Sequence, residues 1–184
     1  MKRQTGFTIT ELMVVVAIVA ILMGIGVPSY RYITNSYRMS AEVNGLLGDL
    51  QYARSEAIKE GQPVTACVST NATACTAGTA WAGGWIVFSD VNGNATFNAG
   101  AGDTLLRVQG AFAGNVPDTF SATNNVTAIT YNREGFARTA AGFVTTTISL
   151  QDSTNNAAWR RCLVIAAATP LSAQTHTMNP GACP

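Results

Sequence analysis

Charge is scarce in this sequence: 11 Lys+Arg and 10 Asp+Glu among 184 residues, with a formal net charge of +1. Disordered tails need more charge and fewer apolar residues, so an apolar content of 47% points to a packed core. Near-neutrality supplies no electrostatic footprint for wholesale nucleic-acid binding. A single histidine, His176, excludes a multi-histidine metal centre. It reads as a solvated loop residue, and no Ser-His-acid spacing is recognisable. The glycine-rich stretch Gly100-Ala101-Gly102-Asp103 has no Lys-Ser/Thr after it, so it is no phosphate loop. The four cysteines form no C-x₂-C knuckle, which argues against a zinc site. No catalytic residue, metal or cofactor is therefore expected. The length suits one domain with an appendage.

What is present is concentrated at the N-terminus. Residues 12–27, LMVVVAIVAILMGIGV, carry no charged side chain. Counted from Phe7, the segment before Pro28 is 21 residues long, interrupted only by Thr8, Thr10 and Glu11. That is close to the ~20 residues an α-helix needs to cross a bilayer. Lys2 and Arg3 precede it, so the positive-inside rule leaves the N-terminus cytoplasmic and exports the chain beyond the span. A small-residue cleavage site is poorly represented after the run, where Pro28-Ser29-Tyr30-Arg31 stands. A carboxylate in the hydrocarbon region costs a few kcal/mol or more (on the order of 3) and calls for a partner. Snorkelling into water is the bland alternative for Glu11. Pro28 is expected to kink or locally open the helix, and Gly24 and Gly26 weaken it further.

Beyond Pro28, Val43, Leu46, Leu47, Leu50, Ala53, Ala57 and Ile58 recur at three- and four-residue steps. That spacing predicts an amphipathic helix with one apolar stripe, stopped by Gly61 and Pro63. The charged residues Arg38, Glu42, Asp49, Arg54, Glu56, Lys59 and Glu60 fall mostly off the stripe. Short β-branched and aromatic runs come next, with strands expected over 64–69, 84–89, 104–109, 127–132, 143–150 and 161–167. Residues 85–88, Trp-Ile-Val-Phe, are apolar throughout and suit a strand covered on both faces. Close spacing implies antiparallel pairing, so the class is α+β, with a long helix laid on an antiparallel sheet. The expected segments are 1–6, a removable leader; 7–28, a membrane-crossing helix; 29–61, its amphipathic continuation; and 62–184, a β-rich exported domain.

Cys67, Cys75, Cys162 and Cys183 lie on the exported side, where disulfides form. The sequence-local pairing is Cys67–Cys75 with Cys162–Cys183; spacing does not fix connectivity, and the two crossed pairings stay open. Asp90-Val91-Asn92-Gly93-Asn94 resembles a calcium loop, yet Ala95 replaces its turn glycine and Ala101 its bidentate glutamate. A plain turn is expected, with Asn92-Gly93 as a hairpin signal.

The stretch Gly6-Phe7-Thr8-Ile9-Thr10-Glu11-Leu12 closely resembles the class III (prepilin) signal of type IV pilins and type II secretion pseudopilins. The resemblance implies cleavage between Gly6 and Phe7 by a membrane-embedded prepilin peptidase, which also N-methylates Phe7. It implies that Glu11 pairs with the new α-amino group of a neighbouring subunit and sets the filament register. Trp81-Ala82-Gly83-Gly84-Trp85-Ile86-Val87-Phe88, with Asp90-Val91-Asn92 shortly after, is similar to a segment of the GspH/FimT/FimU subgroup. Ile129-Thr130-Tyr131-Asn132-Arg133-Glu134-Gly135 fits that subgroup's glycine-ended turn. A C-terminal disulfide loop also resembles many type IV pilins.

On this resemblance the expected function is that of a minor pilin, a structural subunit in pilus initiation near the tip. Its partners would be the prepilin peptidase/methyltransferase and other major and minor pilins. It would sit as a single-pass protein in the inner membrane, its globular domain periplasmic, and then in the pilus at the cell surface. A GspH-type pseudopilin of type II secretion is the alternative. A further alternative is a DNA-binding subunit for natural transformation. Relatives of that kind carry G-R-x-R in the C-terminal loop, whereas between Cys162 and Cys183 this chain has no Arg or Lys. Arg160 and Arg161 remain for phosphate contact, read otherwise as a solvated strand start. Removal of the leader takes Lys2 and Arg3 from the 11 basic residues, leaving 9 against 10 acidic.

Overall fold

The computed structural model describes residues 6–112, 118–140, 142, 145–154, 156–166, 172–175 and 183. The chain divides into two compact units, residues 1–38 and 39–184. One helix, α1 (Ile9–Glu60), begins in the first and ends in the second.

In the first unit every residue from 6 to 34 is exposed. The helix there has the length and apolar composition to cross a membrane. It stays helical through Pro28, so the missing N–H is accommodated within a continuous element.

In the second unit the α1 stripe is Met39, Val43, Leu46, Leu50, Ala53 and Ala57, all buried. Leu47 packs at its margin. Ile58, expected on the stripe, is 53% exposed. It lies beside the turn at Gly135 instead, where a Cβ would stand 2.8 Å from Ile58 Cδ1. The helix ends at Gly61, whose φ of +69° suits the left-handed residue after a helix and whose N–H donates to Ala57 O at 3.0 Å.

Among the described residues, nine strands form two antiparallel sheets. The strands are β1 (Val64–Val68), β2 (Gly84–Ser89), β3 (Thr104–Gly110), β4 (Thr119–Ala122), β5 (Ala128–Tyr131), β6 (Ala137–Arg138), β7 (Thr146–Gln151), β8 (Arg161–Ile165) and β9 (Ser172–Thr175). The first sheet runs β3-β2-β1-β5-β6 and the second β4-β7-β8-β9. A single core joins the α1 stripe to inward residues of both, among them Trp85, Ile129 and Tyr131 with Phe120, Ile148, Leu150 and Leu163, and to Trp81 in the turn before β2. Three aromatic rings knit it: Trp85 meets Phe112 at 5.7 Å and Phe120 at 6.4 Å, both edge-on.

The outer face of the first sheet has its own smaller cluster, Cys67, Ile86 and Phe88, under Cys75, Phe97 and Ala128. This explains the uninterrupted apolar run of β2: its alternate residues meet different cores, and all six are buried. Two segments supply the outer cover. One is the loop closed by Cys67–Cys75, with Cα atoms 5.6 Å apart. The other is the 90–103 connection, which brings Phe97 onto Phe88 at 5.4 Å.

That connection corrects the simple hairpin expected from Asn92-Gly93. The dipeptide does turn, with Gly93 at φ +67° and its N–H on Asp90 O at 3.1 Å. Yet β2 and β3 are joined through the whole of 90–103, because the loop is organised by buried carboxylates. Asp90, 0% exposed, accepts from Asn94 N at 3.1 Å, Ala95 N at 2.8 Å and Thr65 Oγ1 at 2.8 Å. Asp103 accepts from Val91 N at 3.1 Å and Asn98 N at 2.8 Å. These oxygens are engaged by backbone amides and the Thr65 hydroxyl, which shape the loop. Among the described residues no cluster of His, Cys, Asp and Glu could hold a metal.

The sequence pattern does not announce three of the strands: β4, β6 and β9. Each is short and draws its extended state from its neighbour rather than from an apolar alternation.

Candidate functional site

The functional candidates fall at the start of α1 and along its packed half. Gly6, Phe7 and Thr8 lie outside the helix and are exposed. The Gly6–Phe7 junction, expected from the sequence as a cleavage point, is thus accessible and free of helical hydrogen bonding. Thr8 caps the helix: its Oγ1 accepts from Glu11 N at 3.3 Å, and its carbonyl accepts from Leu12 N at 3.1 Å. Glu11 therefore occupies the first turn, where the helix dipole favours an acid. The Thr8-x-x-Glu11 spacing is the signature of a capping box, a signal that reading Glu11 only as an assembly acid passes over. Phe7 is 77% exposed, and the apolar side chains after it point outward along the whole of the first unit.

The packed half of α1 carries a second constellation that sequence patterning missed. Asp49 receives Trp85 Nε1 at 2.9 Å through one carboxylate oxygen and Arg107 Nη1 at 2.9 Å through the other. The Arg107 guanidinium also lies over the Tyr52 ring, 3.9 Å from its centroid. One acid thus ties α1 to β2 and β3. The partners are 36 and 58 residues away, too distant for local spacing to announce.

Cys67 is joined to Cys75 and Cys162 to Cys183, the sequence-local pairs. The Arg160–Arg161 pair does not form a solvated strand start. Arg161 is 8% exposed and donates to Ser40 Oγ at 3.3 Å, Ala158 O at 3.3 Å and Arg160 O at 3.0 Å. Burial against α1 and carbonyl partners spends its donors inside the domain. His176 lies outside the described residues. Tyr131 is buried between sheet and helix, and burial pushes its hydroxyl well above the usual phenol range despite the Arg54 charge nearby.

A bare apolar helix that leads into a packed stripe under antiparallel sheets defines a pilin-like subunit. Comparison with known proteins gives the family. The family described as Type II transport protein GspH matches residues 42–169, and the prokaryotic N-terminal methylation motif matches residues 1–27. The chain belongs to the GspH family. Two curated fimbrial proteins of Pseudomonas aeruginosa are each 37% identical to it over 73 residues, 40% of this chain. The match spans about half of those relatives' length, 47%. Crystal structures of the Pseudomonas aeruginosa type IV minor pilin FimU share the fold at 18% identity. In two crystal forms the TM-scores are 0.57 and 0.61, covering 79% and 83% of this chain and 99% of FimU.

Proposed function

We propose that this protein is a minor pilin of a type IV pilus, a structural subunit that acts in filament initiation near the tip. The observation that carries the reading is the first unit: an exposed apolar helix whose start bears the methylation motif, continuous with a GspH-family domain. Lipid is the first solvent for such a helix, and the helices of sibling subunits replace it on assembly. Family and fold are consistent with a structural rather than a catalytic role.

Prepilin peptidase cuts between Gly6 and Phe7 and methylates Phe7. Glu11, one helical turn on, then stands near the membrane surface as a carboxylate in want of a cation. The α-amino group of an adjacent subunit's Phe7 neutralises it, and one axial stagger satisfies the pair. The globular domain is periplasmic before assembly and external after it. The decisive experiment replaces Glu11 with Val: membrane insertion stays intact and recovery in sheared filaments falls. Wild-type recovery would overturn the pairing.

The GspH family description, a type II transport protein, favours a second reading, a pseudopilin of type II secretion. Deleting the gene separates the two. Loss of surface pili with normal exoprotein secretion supports the pilus, and the reverse supports secretion.

A further inference from the structure

On the outer face of the first sheet, away from α1, the 93–96 segment and β6 enclose a cleft of about 280 Å³. Its lining includes Asn94, Thr127, Thr130, Arg138 and Thr139, an assembly of hydroxyl, carboxamide and guanidinium groups around small alanine surfaces. A second hollow of about 140 Å³ shares Thr127 and Thr139 and continues toward Asn124 and Asn125.

Two features give this cleft chemical direction. Among the described residues, Arg138 makes a single side-chain hydrogen bond, Nη2 to Gly93 O at 3.3 Å, and no carboxylate pairs with it. Most of its planar donor fork is therefore open, and that fork fits a carboxylate bidentately. Thr130, 4% exposed, belongs to a polar chain through the sheet. Thr65 Oγ1 donates to Asp90 Oδ2 at 2.8 Å and lies 2.8 Å from Thr130 Oγ1. An ionised carboxylate only accepts, so the Thr65 proton is committed to Asp90 and the Thr130 proton must point to Thr65. The Thr130 oxygen is left as an acceptor only. A site with an unpaired guanidinium and a fixed hydroxyl acceptor suits a ligand bearing both a carboxylate and hydroxyl donors.

We infer that this cleft binds an acidic sugar, a hexuronate unit, with its carboxylate on Arg138 and a ring hydroxyl donating to Thr130. The volume accommodates one ring, and the adjoining hollow accepts a second. The inference does not depend on which filament the subunit serves.

The test is titration of the full chain in detergent micelles with galacturonate, galactose and N-acetylglutamate, read by saturation-transfer NMR and calorimetry. Galacturonate binds saturably, and both galactose and N-acetylglutamate bind at least about tenfold more weakly, the factor expected for one lost charged or oriented hydrogen bond. Arg138→Gln loses at least about tenfold while keeping the parent melting temperature. Thr130→Val loses affinity for galacturonate and Thr130→Ser restores it. Equal binding of galacturonate and N-acetylglutamate would overturn the sugar assignment in favour of a generic carboxylate hole. Absence of saturation, or unchanged affinity in Arg138→Gln, would overturn the site.

Discussion

Asp49 is the acid on which the helix–sheet joint turns, and replacing it with Ala tests that directly. The change removes the acceptor of Trp85 Nε1, in a side chain only 1% exposed. An orphaned buried donor costs about 1–3 kcal/mol. The ion pair to Arg107 adds less, because the Arg107 side chain is 47% exposed and that of Asp49 15%; solvent screening holds it to about 0.5 kcal/mol. Arg107 keeps its place over Tyr52, which limits further collapse. The expected loss is about 2 kcal/mol for Asp49→Ala and about 1 kcal/mol or less for Asp49→Asn, which keeps a carbonyl acceptor. Urea unfolding of the full chain in micelles, read by near-ultraviolet circular dichroism, gives the values. Combining Asp49→Ala with Trp85→Phe closes a double-mutant cycle, and a coupling of about 1 kcal/mol or more is expected because the second change removes the donor that the first leaves unpaired. A loss below about 0.5 kcal/mol, or strictly additive losses, would refute the role assigned to Asp49.

Tyr131 gives a pH test. Its folded-state pKa lies above that of the unfolded phenol because burial disfavours the phenolate. Its contribution is therefore complete below about pH 10 and is lost as pH climbs above it. Tyr131→Phe should flatten the alkaline limb of the stability curve, and an unchanged limb would exclude Tyr131 as its source. Gly84→Ala should cost more than about 2 kcal/mol, since φ is +105° and the new Cβ would stand 2.5 Å from Gln109 O; thermal melting checks this. Removing the Cys67–Cys75 bridge as the double Ser variant should cost about 2–3 kcal/mol from loop entropy, measured by urea midpoint. At the proposed processing junction, Gly6→Glu should leave the chain at its uncut mass in whole-cell immunoblots, while Gly6→Ala matures.

The elements legible in the sequence are those where one physical signal dominates. The apolar run of 12–27, the stripe from Val43 to Ala57 and the helix stop at Gly61 each arise from spacing or backbone chemistry alone. The doubly covered β2 was legible too, because Trp85-Ile86-Val87-Phe88 has no polar position to turn outward. What escaped depends on partners far away in the chain. β4 is a strand because β7 lies beside it, and Asp49 matters because Trp85 and Arg107 arrive from the sheet. Ile58 matched the period but lies where the helix passes the edge of its cover. Arg161 looked like surface charge, and only the proximity of Ser40 and nearby carbonyls reveals why it is inside.

The carboxylate of Asp90 holds the 90–95 turn from beneath, through main-chain amides that every residue but proline possesses. Asn92 Oδ1 and Asn94 Oδ1 add a second tier, accepting from Asn94 N at 3.1 Å and Thr96 N at 2.8 Å. Val91, 49% exposed and bonded only through its amide, is the position in this turn where the side chain is freest to change while the contour persists.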